Sequence, residues 1–107
     1  MSVGVAYAGN TSIVDQLGFF NASGVGQAGD LNLALTGQVG IGNGSLTLQN
    51  GIGNAAATGQ IGAFNGSVTN QTGIANASTT LQAGFNGHFS STTQGGVGNV
   101  STTVQTD

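Results

Sequence analysis

Four side chains in this 107-residue chain carry charge chemistry near neutral pH: Asp15, Asp30, Asp107 and His88. A nucleophilic or general-base site would need His88 and an aspartate to converge on one of the many Ser or Thr hydroxyls. No acid lies near His88 in sequence, and no spacing sets one beside a hydroxyl, so no catalytic residue is assigned and no enzyme is expected. A metal site or pH switch at His88 would need further ligands, and the chain has no Cys and no second His. No Lys or Arg is present to meet a phosphate, which excludes nucleic acid, nucleotides and the polybasic route to anionic lipid. The glycines carry no Gly-Lys-Ser/Thr phosphate-loop sequence, so no cofactor is expected. No apolar run approaches the length of a membrane span, so no membrane insertion is expected either.

The side chains that recur are amides. Gln16, Gln27, Gln38, Gln49, Gln60, Gln71 and Gln82 are spaced by eleven; one extra residue precedes Gln94, and Gln105 follows eleven later. Two residues after each of the first eight stands a glycine: Gly18, Gly29, Gly40, Gly51, Gly62, Gly73, Gly84 and Gly96. Five residues after Gln stands Asn, at Asn21, Asn32, Asn43, Asn54, Asn65, Asn76 and Asn99, with Asn10 in the same slot before Gln16. A disordered Gly-, Ser- and Asn-rich linker has no reason to hold such a count. The period means one small unit stacked on copies of itself.

The elements that position these amides follow from counting slots downstream of Gln. Slots five, seven, nine and the next Gln share one face of an extended strand. Slot seven is mostly Ser (Ser12, Ser23, Ser45, Ser67, Ser78, Ser90, Ser101) and slot nine mostly Thr (Thr36, Thr47, Thr58, Thr69, Thr80, Thr92, Thr103). The stretch from Gln to Asn, centred on the glycine, reads as the bend, because Gly accepts the positive φ of a tight arc. Slot one alternates large and small residues, with Leu17, Val39 and Ile61 against Ala28, Asn50 and Thr72, so two half-turns close one coil. The expected fold is all-β: a single repeat domain over 1–107 forming a two-sided β-solenoid of about 22 residues per coil. Four to five coils would rise roughly 20–24 Å, at about 4.8 Å each.

The repetitive Asn-Ser-Thr-Gln face is expected inside, with amides and hydroxyls hydrogen-bonding up the stack, and the variable face outside. The reverse arrangement draws on slot three, where Phe19, Ile41, Ile52, Ile74, Phe85 and Val97 offer apolar plugs for the ends of the coil. Stacking explains the near absence of charge. Like charges about 4.8 Å apart repel by roughly 1 kcal/mol per pair even in water. His88 sits where Asn belongs when counted back from Gln94, with Asn86 displaced and Gly87 inserted, and reads as an irregular bend. Sequons at Asn10, Asn21, Asn43, Asn65, Asn70, Asn76 and Asn99 follow mechanically from Ser two places after Asn; inward Asn would exclude glycans.

Gln38-Val-Gly-Ile-Gly-Asn43, Gln49-Asn-Gly-Ile-Gly-Asn54 and Gln94-Gly-Gly-Val-Gly-Asn99, each followed six residues later by Gln, resemble curlin repeats. Curlins are the secreted subunits of curli, the functional amyloid fibres of bacterial biofilm matrix. The resemblance spans Asn10 to Gln105. The second glycine of the family motif is present at Gly42, Gly53 and Gly98, while Phe20, Leu31, Phe64, Ala75 and Asn86 stand there elsewhere. The resemblance implies an extracellular homopolymer built by end-to-end stacking, with a nucleator subunit and an outer-membrane secretion pore as partners. The first residues lack a charged n-region and an apolar h-region, so any secretion signal is expected to have been removed or another export route used. Open ends, with repeat reaching Gln105, point independently to coil-on-coil addition. Two rivals draw on the same composition: a monomeric Thr-rich ice-binding solenoid, and the repetitive stalk of a surface adhesin.

Overall fold

In the computed structural model of the chain, residues 2–6 and 9–107 are described, the first five by backbone alone. Their secondary structure is all β. The strands are β1 Ser2–Ala6, β2 Thr11–Phe19, β3 Ala22–Asp30, β4 Leu33–Ile41, β5 Gly44–Ile52, β6 Ala55–Ala63, β7 Gly66–Ile74, β8 Ala77–Gly84, β9 Phe89–Val97 and β10 Val100–Thr106. Consecutive strands fall on opposite sheets, in the orders β1-β3-β5-β7-β9 and β10-β8-β6-β4-β2. Each strand pairs in parallel with the strand one coil away. Gln16 therefore lies on Gln38, Gln38 on Gln60, and Gln60 on Gln82. The molecule is a two-sided β-solenoid of about 22 residues per coil, with extents of 35 × 23 × 12 Å. A nine-residue strand spans about 30 Å, and five strands at about 4.8 Å give the second dimension.

Three expectations need correction. The reversal does not centre on the glycine two places after Gln, because each of those glycines lies inside a strand or at its end. The chain turns at slots four and five, where Phe20, Leu31, Phe64 and Ala75 take φ of 56–59° and Gly42, Gly53 and Gly98 take 67–69°. Backbone bonds run up the stack through these turns, such as Phe64 N–H to Ile41 O at 2.9 Å and Leu33 N–H to Asn54 O at 2.7 Å. That stacking holds even Phe and Leu in the left-handed conformation they avoid locally. The slot-two glycines are kinks within strands, at φ of 127° for Gly40 and 131° for Gly51. Their second requirement is close approach: a Cβ on Gly40 would stand 1.8 Å from the Gly62 carbonyl oxygen.

The slot-three side chains do not plug the coil. Phe19, Ile41, Ile52, Ile74, Phe85 and Val97 are all exposed along the two edges. The third correction concerns the hydroxyls of the interior. Thr36, Thr58 and Thr80 Oγ1 and Ser45, Ser67 and Ser78 Oγ are buried without hydrogen-bond partners, so no hydroxyl ladder forms. Strand spacing of about 4.8 Å holds stacked hydroxyls well beyond the 2.7–2.8 Å of an O–H···O bond.

The first strand is set differently from the rest. Ser2 pairs with Ser23 and Ala6 with Gln27, an offset of 21 residues, so the amide column of that sheet has no Gln on β1.

Candidate functional site

The site is a stack of amides, and its geometry follows from one match of lengths. Within a carboxamide, oxygen and nitrogen are about 2.2 Å apart, given the bond lengths of the group. Adding a hydrogen bond of about 2.7 Å gives about 4.9 Å, close to the rise between parallel strands. An amide therefore bridges adjacent coils where a hydroxyl falls short. Each glutamine Nε2 donates to Oε1 of the glutamine one coil on: Gln16 to Gln38 at 2.6 Å, Gln38 to Gln60 at 2.6 Å, Gln60 to Gln82 at 2.8 Å and Gln82 to Gln105 at 2.7 Å. The facing sheet repeats this through Gln27, Gln49, Gln71 and Gln94 at 2.7–2.8 Å.

The second Nε2 hydrogen crosses to the other sheet. Gln38 donates to Ala22 O at 3.1 Å, Gln49 to Leu33 O at 3.0 Å and Gln60 to Gly44 O at 2.9 Å. Glutamine thus ties coil to coil and sheet to sheet. Gln38, Gln49, Gln60, Gln71 and Gln82 are among the largest fully buried side chains of the chain. The apolar residues buried with them are few and mostly small: Val25, Ala34, Ala56 and Ala63.

Asparagine braces the turn. Asn43 Nδ2 donates to Val39 O at 3.2 Å in its own half-coil and to Gly62 O at 3.2 Å one coil on. Its Oδ1 accepts from Asn65 N–H at 3.1 Å. The same triplet recurs at Asn21, Asn32 and Asn54. The glycine and asparagine slots form one device. The positive φ of Gly62 turns its carbonyl toward Asn43, and the absent Cβ lets the layers close. Asn10 begins the column, donating to Gly29 O at 2.9 Å. Asn76 Nδ2 reaches Gly96 O at 3.2 Å, and Asn99 donates to Gly95 O at 2.9 Å. Gly18, Gly29, Gly51, Gly73 and Gly84 take the same conformation and contacts as Gly40 and Gly62, save that Gly84 faces Asp107 instead of a glycine.

His88 takes the asparagine slot by its backbone. Its N–H donates to Asn65 Oδ1 at 3.1 Å, and its carbonyl accepts Gly66 N–H at 2.7 Å. Gly87, at φ of 77°, absorbs the extra residue, so the ladder continues across a 23-residue coil from Gln71 to Gln94. The imidazole does have an acidic neighbour. His88 Nε2 lies 3.3 Å from Asp107 Oδ1, and Asn86 Nδ2 donates to Asp107 Oδ2. Asp107 stands in slot two, the glycine column, directly over Gly84. The hydrogen bond from His88, with a smaller one from Asn86, holds its carboxyl below the usual value. No three metal-ligating side chains converge among the described residues.

The column could have signalled this pairing, since slots two and five meet at every turn. No comparable signal marks slot four or the slot-six carbonyls that receive the glutamine hydrogens. Comparison of the chain with protein-family models, curated proteins and solved structures found no match.

Proposed function

We propose that this chain is a structural subunit of an extracellular, curli-like functional amyloid fibre, growing by end-to-end stacking of coils. The observation that carries this reading is the direction of the amide ladder. Every Gln–Gln bond runs from Nε2 of one coil to Oε1 of the coil nearer the C-terminus. The ladder is therefore polar along the stack, from the β1/β2 end to the β9/β10 end. Acceptors face one way and donors the other. A further coil added beyond β9 and β10 seats by the bonds that already hold the stack, and at the other end it meets the backbone edge of β1 in place of a glutamine. Such an interface is head-to-tail and does not close, which is the geometry of a filament.

Its activity is mechanical, and the curlin resemblance supplies the setting: cell surface or biofilm matrix, with a nucleator subunit and an outer-membrane pore as partners. The ice-binding rival needs outward Thr in a flat array, whereas Thr36, Thr47, Thr58, Thr69, Thr80 and Thr92 are buried.

Incubation of purified protein should give fibrils with a meridional reflection near 4.8 Å and an equatorial one near 10 Å. Growth should be seeded by fragments of the same fibril. A sample that stays monomeric after seeding, or fibrils without the 4.8 Å spacing, would overturn the reading.

A further inference from the structure

The outward faces of the two sheets differ. On the β1-β3-β5-β7-β9 sheet the exposed outer positions mix Asn50, Asn70, Thr72, Ser91 and Thr93 with Leu46, Leu48 and Phe89. The outer face of the β2-β4-β6-β8-β10 sheet is apolar over most of its area. Ile13, Leu17, Leu35, Ile61, Leu81 and Val104 are exposed there, and Asp15 is its one charge, on the edge strand β2.

We propose that two copies of this chain pair face to face through the outer surface of the β2-β4-β6-β8-β10 sheet. Over the seven residues of each strand before the glycine kink, the face measures roughly 23 Å along the strands by 24 Å across them. A pair would therefore bury on the order of 1,100 Å², at the lower bound for a specific interface. In a filament that area recurs with every subunit, so lateral pairing reinforces the end-to-end growth proposed above and rests on it only for that gain.

The relief of the face is self-complementary. Several outward glycines of the molecule already have a leucine leaning over them: a Cβ on Gly59 would meet Leu81 at 3.0 Å, and on Gly26 would meet Leu48 at 3.0 Å. Gly37, in the middle of β4, has nothing within 4 Å of the same position. It is an open notch bordered by Asp15 on the edge strand β2 and by Leu17 and Val39. Of the two in-plane two-fold axes, the one along the stack sets Leu35 against Gly37 of the mate. The axis along the strands sets Leu81 there. A groove of about 290 Å³ beside the notch, lined by Gly59, Ile61, Leu81, Ala83 and Val104 among others, continues the same low ground. The chain has no Lys or Arg to oppose a mate of its own kind, and one acid per face leaves little repulsion.

The test compares mass per length of fibrils, measured by scanning transmission electron microscopy. Wild-type fibrils should weigh two stacks per coil rise. Leu35→Glu with Leu81→Glu should give single stacks, and Leu46→Glu with Leu48→Glu, on the other sheet, should leave the doublet intact. Gly37→Val is the second variant, because it fills the notch in an extended strand without touching the fold. It should weaken pairing while leaving thermal stability unchanged or raised. Wild-type single stacks, or doublets lost equally in the control, overturn the proposal.

Sedimentation of unassembled protein separates the two readings. A concentration-dependent dimer, weakened about tenfold or more by the same variants, supports pairing even where no fibre forms. A strict monomer across the concentration range overturns it. So does a monomer that instead binds neutral phosphatidylcholine vesicles through Leu35 and Leu81.

Discussion

Gln60 and Ile61 are neighbours on β6, and they invert the usual order of a folded protein: the amide is fully buried, and the isoleucine is 60% exposed. The same inversion holds along the stack, with Gln, Asn, Ser and Thr inside and, the buried Val25 apart, the large apolar residues mostly on the outer faces and edges. Burying polar groups costs free energy only where they lack partners. Here the spacing of the strands is the spacing at which a carboxamide meets its own copy, so the buried amides are supplied by the coil beside them, save Gln27 Oε1 beneath β1. Hydroxyls do not fit that spacing, and those of Thr36, Thr58, Thr80, Ser45, Ser67 and Ser78 lie in the same interior without partners. The lesson is that the inside is specified by repeat distance and the outside by nothing so strict. Perturbing the inside should therefore cost far more than perturbing the outside.

The sharpest break falls at the glycine column. Gly40→Ala would place Cβ 1.8 Å from Gly62 O at a φ of 127°, and both atoms belong to backbone that cannot move without separating the layers. A loss above about 4–5 kcal/mol is expected, enough to abolish the β signal in circular dichroism of the unassembled protein. Gly53→Ala is the matched control. It takes a φ of 67° that Ala75 already tolerates, and nothing lies within 4 Å of the added carbon. Its cost should be about 1–2 kcal/mol, read from urea unfolding.

Next comes the amide itself. Gln60→Leu keeps a side chain of similar length but strands Gln38 Nε2, Gln82 Oε1 and Gly44 O inside the coil. Each stranded group costs about 1–3 kcal/mol. Stability should fall by several kcal/mol in urea unfolding, and fibre growth should slow sharply. An unchanged midpoint would contradict the ladder as the source of cohesion. The paired change Gln49→Leu with Asn54→Leu extends the test to the turn brace and should stop growth.

How far these positions could be read from the sequence depends on what repeats. In a parallel, in-register stack each slot keeps its environment from coil to coil. The Gln, Asn and Gly columns therefore exposed the register, and the alternation of slot one exposed the two-sided coil. Slot four stayed hidden because Phe20, Leu31, Phe64 and Ala75 share no chemistry; their conformation is imposed by the layers above and below. The glycine column was visible, but its reason was not, since a close carbonyl belongs to the neighbouring layer rather than to the local bend. Strand β1 has no glutamine in the column, and its offset of 21 leaves no periodic trace.

The outer face gives a smaller effect of opposite sign to intuition. Leu46→Thr replaces a large apolar residue that is already 41% exposed with one of good strand propensity. A loss within about 1 kcal/mol is expected in urea unfolding. Set against Gln60→Leu, the pair of measurements asks directly which side of the strand holds the molecule together. A larger loss at Leu46 than at Gln60 would place the cohesion on the outer face instead.

The smallest expected effect lies where the two surfaces meet, at the His88–Asp107 pair on the last turn. Hydrogen bonding from His88 lowers the Asp107 carboxyl below its ordinary value, so the folded state favours the ionised form. A depressed carboxylate contributes stability that is fully present above its unfolded value, near 3.8, and is lost as pH falls through the folded value. The pair is solvent-exposed, so the contribution is small and screened by salt. Urea midpoints measured from pH 5 downward should fall less steeply for Asp107→Asn than for the wild type, and the difference should shrink as salt is added. His88→Gln should do the same through the other partner. If both variants track the wild type across that range, the contact contributes nothing in solution, and the irregular turn is held by its backbone bonds to Asn65 and Gly66 alone.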